Sequence, residues 1–136
     1  MRTVEFPETR RTPLVRTCSD TGEGPWNELL GILRATGTSF DVVLEDLFTG
    51  WPVERVVTSA LEDGLAARHP LLLVADERAL ADHDFPLVVA DLRGEPGRTF
   101  RIAAAVLSGF PSPRAGFADH ADHAELQPDR TFRGFC

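Results

Sequence analysis

The stretch His69-Pro70-Leu71-Leu72-Leu73-Val74-Ala75-Asp76 decides the fold. Its unbroken apolar run from Leu71 to Ala75 predicts a strand covered on both faces, at the centre of a sheet. Upstream, Pro13-Leu14-Val15-Arg16-Thr17 is short and β-rich and reads as a first strand, and the small and polar residues 18–24 mark a loop. Pro25 suits the first turn of a helix, where its missing N–H is not needed. Trp26, Leu29, Leu30 and Leu33 follow at helical spacing, so residues 25–35 have one apolar face, and Gly37 supplies the stop. Phe40-Asp41-Val42-Val43-Leu44 is a second strand. A second helix over residues 52–62 sets Val53, Val56, Val57, Ala60 and Leu61 on one side, with Gly64 beyond its end.

Downstream of the central run, residues 76–80 open a short helix, and residues 85–92 and 99–102 are a fourth and a fifth strand. The connector over residues 93–98 is too short for a crossover helix, so these two strands form an antiparallel hairpin. Residues 103–107 read as one or two helical turns, Pro111, Pro113 and Gly116 break the pattern, and residues 117–126 hold a last amphipathic turn or two before a tail at residues 130–135. The sum is a single α/β domain over residues 13–136, preceded by an irregular arm over residues 1–12. Its sheet is mixed and five-stranded, with two main helices, a C-terminal hairpin and short C-terminal helices. A strand order of 1-2-3 or 3-2-1 would place both long helices on one face through right-handed crossovers, leaving the C-terminal turns for the other.

A chain of 136 residues suits one domain and can bury roughly two thirds of its unfolded surface. Its 14 basic residues are all Arg and face 21 acidic ones, a net charge of -7 that repels phosphate backbones and anionic lipid. Neither nucleic acid nor a membrane is expected as a partner. The longest apolar run is far below the roughly 20 residues that cross a bilayer. The N-terminus lacks the apolar stretch of a secretory signal, so a cytoplasmic protein is expected. Cys18 and Cys136 are then free thiols.

Leu14-Val15-Arg16-Thr17, Trp26, the stretch from His69 to Asp76, Glu95-Pro96-Gly97-Arg98-Thr99-Phe100-Arg101 and the closing Phe132-Arg133-Gly134-Phe135 together resemble a small bacterial domain family of unknown function. The resemblance covers most of the chain from Pro13 onward. It implies a single folded unit and carries no assigned activity. It also implies that His120 stands where relatives have an aromatic side chain.

Several residues invite a chemical reading. His120 and His123 stand three apart on a helical segment and project to one side as metal ligands would, with Asp82-His83-Asp84 as a source of a third. The competing reading is a solvated or aromatic-replacing pair. No cofactor is expected. Acids gather at predicted strand ends: Asp20 after the first, Glu45 and Asp46 after the second, Asp76 and Glu77 after the third. In open α/β sheets ligands bind outside the carboxyl ends of the strands, so these acids can surround a shared mouth and bind a cation or move protons. Alternatively, each caps the helix that follows it. A receiver-type phosphoacceptor site is excluded, because it needs a Lys and the chain has none. Cys18, in the loop after the first strand, is the one nucleophile candidate, with a His as its base. Arg16 and Arg101 lie inside predicted strands, so each either faces solvent or pairs with one of these strand-end acids; a buried Arg16 is a salt-bridge or ligand candidate, and exposure at the rim is the preferred reading for Arg101.

No nucleophile elbow, phosphate loop or dinucleotide fingerprint is present. The preferred expectation is a non-enzymatic accessory or interaction domain that binds a protein or a small molecule, an acidic inhibitor of a basic partner being one form. The alternative is a small enzyme or ligand-binding protein using a pocket at the carboxyl ends of the strands, with Cys18, Asp20, Asp46, Asp76 and Glu77 as its groups.

Overall fold

The computed structural model describes residues 6, 8–18, 22–43, 47–110 and 116–134. Leu71–Ala75 is β3, and Leu72, Val74 and Ala75 are wholly buried. Its neighbours explain why. β1 (Pro13–Arg16) lies parallel on one side, with Leu14 beside Leu73 and Arg16 beside Ala75. β4 (Pro86–Asp91) lies antiparallel on the other, with Leu71 opposite Asp91. β4 then turns into β5 (Thr99–Ala103), the expected antiparallel hairpin.

Together with β2 (Asp41–Val42) and β6 (Thr131–Phe132), the described residues form one mixed sheet in the order β2-β1-β3-β4-β5-β6. Six strands replace the five expected. The sixth lies in the predicted tail, where two residues are too few to show a period-two pattern. β2 is also shorter than its sequence suggests, and Leu44 lies outside the described residues.

β1 sits between β2 and β3, which corrects the expected order. One crossover leads outward from β1 to β2 and the next returns past β1 to β3. Two crossovers of the same hand therefore put their helices on opposite faces. α1 (Glu23–Ala35) packs Trp26, Leu29, Leu30 and Leu33 against Leu14, Leu73, Leu87 and Val89. α2 (Val53–Glu62) packs Val56, Val57 and Ala60 against Val15, Leu72, Val74, Val88 and Ala90. The alternation of side chains along β1, β3 and β4 divides these residues between the two cores. Each fully buried Leu or Val contributes about 1.5–3 kcal/mol, so both faces are firmly held.

The C-terminal elements join the α1 face, not the opposite one. The 3-10 segment Ala104–Gly109 and α4 (Phe117–Glu125) place Ala104, Leu107, Ala121 and Ala124 in that core with Phe100, Ile102 and Phe132. The other face carries α2 and the start of the chain. Phe6 is buried there, stacks on Phe48 at 4.8 Å between ring centroids, and donates its N–H to Asp63 Oδ2 at 3.0 Å. Thr9 meets the Nε2 of buried His69, with its hydroxyl at 3.0 Å and its carbonyl oxygen at 3.1 Å. The described residues before Pro13 form no helix or strand and lie against the domain. α2 covers β1, β3 and β4 but leaves the same side of β5 open, at Thr99 and Arg101.

Candidate functional site

The site grows from the parallel ends of β1 and β3. Thr17 N–H donates to the Ala75 carbonyl at 3.1 Å, holding the two ends together. Arg16 then organises the chain that leaves β1. Its side chain is 4 % exposed and donates to the Cys18 carbonyl at 2.9 Å, the Gly22 carbonyl at 3.0 Å and Glu23 Oε1 at 3.1 Å. The guanidinium also lies 5.0 Å from the Trp26 ring centroid. A charge buried in a strand is tolerated because every side of it meets a partner. The buried, salt-bridged form of Arg16 is the one found, and its bonds fix half-buried Cys18 beside the strand end.

The turn before α2 closes the mouth from the other side. Gly50 takes a φ of 83°, a conformation costly for residues with a side chain, and donates its N–H to the Thr17 carbonyl at 2.8 Å. This brings Trp51, just ahead of α2, to the wall. Trp51 is held edge-on by Phe48, with centroids 5.0 Å apart, and faced by the Arg55 guanidinium at 4.3 Å. A cleft of about 310 Å3 results, walled by Thr17, Cys18, Thr49, Gly50, Trp51, Pro52, Val53, Asp76 and Glu77.

Asp76 stands where this cleft meets a second hollow. It caps α3 (Glu77–Ala81), its Oδ1 accepting the Ala79 N–H at 3.0 Å. Arg101 grips both oxygens, Nη1 to Oδ1 at 2.9 Å and Nη2 to Oδ2 at 2.6 Å, and also donates to the Pro86 carbonyl at 3.0 Å. Burial pushes the Asp76 carboxyl up, but the Arg101 hydrogen bonds, the Ala79 N–H and the Arg101 charge outweigh it and leave the group below its ordinary value. A carboxylate so engaged is a poor proton acceptor. Arg101 itself corrects the expectation of an exposed rim: β6 pairs with β5, and the Arg101 side chain is only 20 % exposed.

Of the residues singled out from the sequence, the fold thus brings Cys18, Asp76 and Glu77 to one cleft, with Glu77 exposed on its rim. Asp20, Glu45, Asp46 and Cys136 lie outside the described residues. His120 and His123 are elsewhere. His120 is buried among Phe110, Phe132 and Phe100, at centroid distances of 4.6, 4.8 and 6.4 Å, and its Nδ1–H donates to the Gly116 carbonyl at 2.7 Å. His123 lies 5.6 Å from the Phe132 ring, and its Nε2 is 3.4 Å from Gln127 Nε2. Asp82 pairs with Arg78 and Asp84 with Arg133. Among the described residues no group of three or more His, Cys, Asp and Glu side chains is placed to hold a metal ion.

The second hollow, about 490 Å3, shares Pro52, Val53 and Asp76 with the cleft and runs over the open side of β5, past Thr99 and Arg101, to Arg78, Glu125 and Arg130. Sequence reasoning passed over Arg78 and Arg130: Arg78 sits one residue past Glu77 in the first turn of α3 and Arg130 just before β6, and nothing local joins the two. Only the pairing of β6 brings the turn before it alongside β5.

These features define an α/β domain of the open-sheet class, with a solvent-open cleft outside the carboxyl ends of adjacent parallel strands. The chain belongs to a family described as a domain of unknown function, DUF6924, which matches residues 11–135. That agrees with the resemblance drawn from its motifs to a family without assigned activity. A comparison with curated proteins finds no match. No helix of the described residues is long and apolar enough to cross a membrane.

Proposed function

We propose that this chain is a non-enzymatic binding domain whose ligand is a small molecule held at the carboxyl ends of β1 and β3. The observation that carries this reading is the continuity of the two hollows, about 310 and 490 Å3, across Pro52, Val53 and Asp76. Both volumes fall within the range of about 300–1,000 Å3 usual for ligand sites. An indole, a proline ring and a valine supply apolar wall, and Thr17, Thr49 and Cys18 supply a few polar groups.

Binding is favoured over catalysis by what the described walls lack. A nucleophilic Cys18 needs a base, and none of the four histidines lines either hollow. Asp76 is engaged by Arg101 and the α3 cap, so it is poorly placed to take a proton.

The test is a fragment screen by NMR on the full chain, followed by alkylation of Cys18 with and without the best ligand. Bound fragments are expected to shift the Thr17, Gly50 and Val53 amides and the Trp51 indole, and to slow alkylation. At a ligand concentration 100 times Kd the protein should gain about 2.7 kcal/mol of stability. Fragments that bind only at other surfaces, or none that bind, would overturn the reading.

A second reading has its own observation. Glu95, Asp122 and Glu125 converge on Arg98 at 2.8, 2.5 and 3.2 Å, leaving an acidic face with Leu126, 81 % exposed, following α4. Such a face suits a basic protein partner, in keeping with a net charge of -7.

A further inference from the structure

We propose that the hollow over β5 takes the anionic group of the ligand, a phosphate or a carboxylate. This inference rests on the binding reading above and names the chemistry of one end of that site. Three arginines, Arg78, Arg101 and Arg130, line a single groove in a protein whose overall charge is strongly negative.

The first two are fixed and the third is available. Arg78 is anchored by the Asp129 carbonyl at 2.9 Å and by Asp82 at 3.4 Å. Arg101 uses three donors on Asp76 and the Pro86 carbonyl, and a guanidinium has five, so two are left for a ligand. Arg130 is exposed, and its side chain makes no ion pair or hydrogen bond among the described residues. It stands at a φ of 57°, in the turn that leads into β6. Two unused donors on an anchored guanidinium, and a further cation with no partner among the described residues lining the same groove, suit an oxyanion, which accepts several N–H bonds at once. The first turn of α2, at Val53 and Glu54, also lines the groove and adds the positive end of a helix dipole.

Acids on the same walls set the limits of the site. Asp76 is neutralised by Arg101, and Glu125 is drawn to Arg98. Glu54 has no such partner among the described residues, and it opposes an anion. The neutral part of the ligand then extends past Asp76 toward Trp51 and Cys18.

The experiment is titration of the 15N-labelled full chain with sodium phosphate and, separately, with sodium acetate, each against sodium chloride at matched pH and ionic strength. Saturable shifts are expected at the Val53, Glu54, Thr99 and Arg130 amides and at the Arg101 and Arg130 Nε–H signals. Arg130→Asn, a residue that accepts left-handed backbone, should weaken the anion at least fivefold. Glu54→Gln should tighten it about twofold. Saturation by phosphate or by acetate supports the assignment and says which oxyanion is preferred. Shifts equalled by chloride, or unchanged in Arg130→Asn, overturn it. If neutral fragments still bind at Trp51 and Cys18 in that case, the anion assignment falls while the binding reading stands; if nothing binds at either end, both fall.

Discussion

Asp76 joins the most physics in one side chain: it caps α3, holds Arg101 and divides the cleft from the groove. Asp76→Ala removes the cap, worth about 1 kcal/mol, and leaves Arg101 short of a partner, at about 1–3 kcal/mol. A loss of about 2–4 kcal/mol in urea unfolding is expected from these two effects. Asp76→Asn keeps a capping oxygen and should cost clearly less; equal losses would mean that the cap contributes nothing. Acid provides an independent check. The Asp76 carboxyl lies below 3.8, and the hydrogen bonds from Arg133 bring Asp129 down to about 2. Folded values below the unfolded ones mean that this stability is fully present above about pH 4. It is lost as the pH falls through the lowered values toward 2. Asp129→Asn should flatten the lower part of that loss in an acid titration followed by circular dichroism. Asp76 was legible in the sequence both as a cap and as a site candidate; it caps α3, and it lines the cleft. For Arg101 the sequence left solvent and an acid partner as alternatives, because its surroundings depend on a strand more than 25 residues further on.

Among the elements, β3 was fully legible and β6 was not. A buried central strand must be apolar at every position, and Leu71–Ala75 states that locally. Thr131–Phe132 states nothing by itself; it is a strand because β5 offers a free edge and Phe132 finds a place beside His120 and Phe100. Phe132 is 5 % exposed, so Phe132→Ala should cost about 3–5 kcal/mol in chemical denaturation, as for core aromatics. A cost below about 1 kcal/mol would show a loosely closing tail instead of a sixth strand. His120 belongs to the same cluster. It is buried between phenylalanines, a packing that the spacing of His120 and His123 alone was unable to separate from a ligand pair.

For the whole molecule, net acidity bears on encounters rather than on the fold. If the face around Glu95, Asp122 and Glu125 meets a basic protein, capture should be strong at low salt and fall steeply as the Debye length shrinks from about 30 Å at 0.01 M to about 8 Å at 0.15 M. Charge reversal of Asp122 and Glu125 should abolish it in a pull-down. Capture indifferent to salt would refute that reading. The local pattern by itself determined the class of fold, the helices, the central strand and the hairpin, because each depends on the spacing of apolar residues and turn signals within a few neighbours. It offered a mouth shared by Cys18, Asp20, Asp46, Asp76 and Glu77 as one alternative, beside acids that each cap a separate helix. Only tertiary structure decided that β1 lies between β2 and β3, that the long helices take opposite faces, and that Arg78, Arg101 and Arg130 share a groove. Strand order is set by contacts between segments far apart in the chain, so no short stretch encodes it.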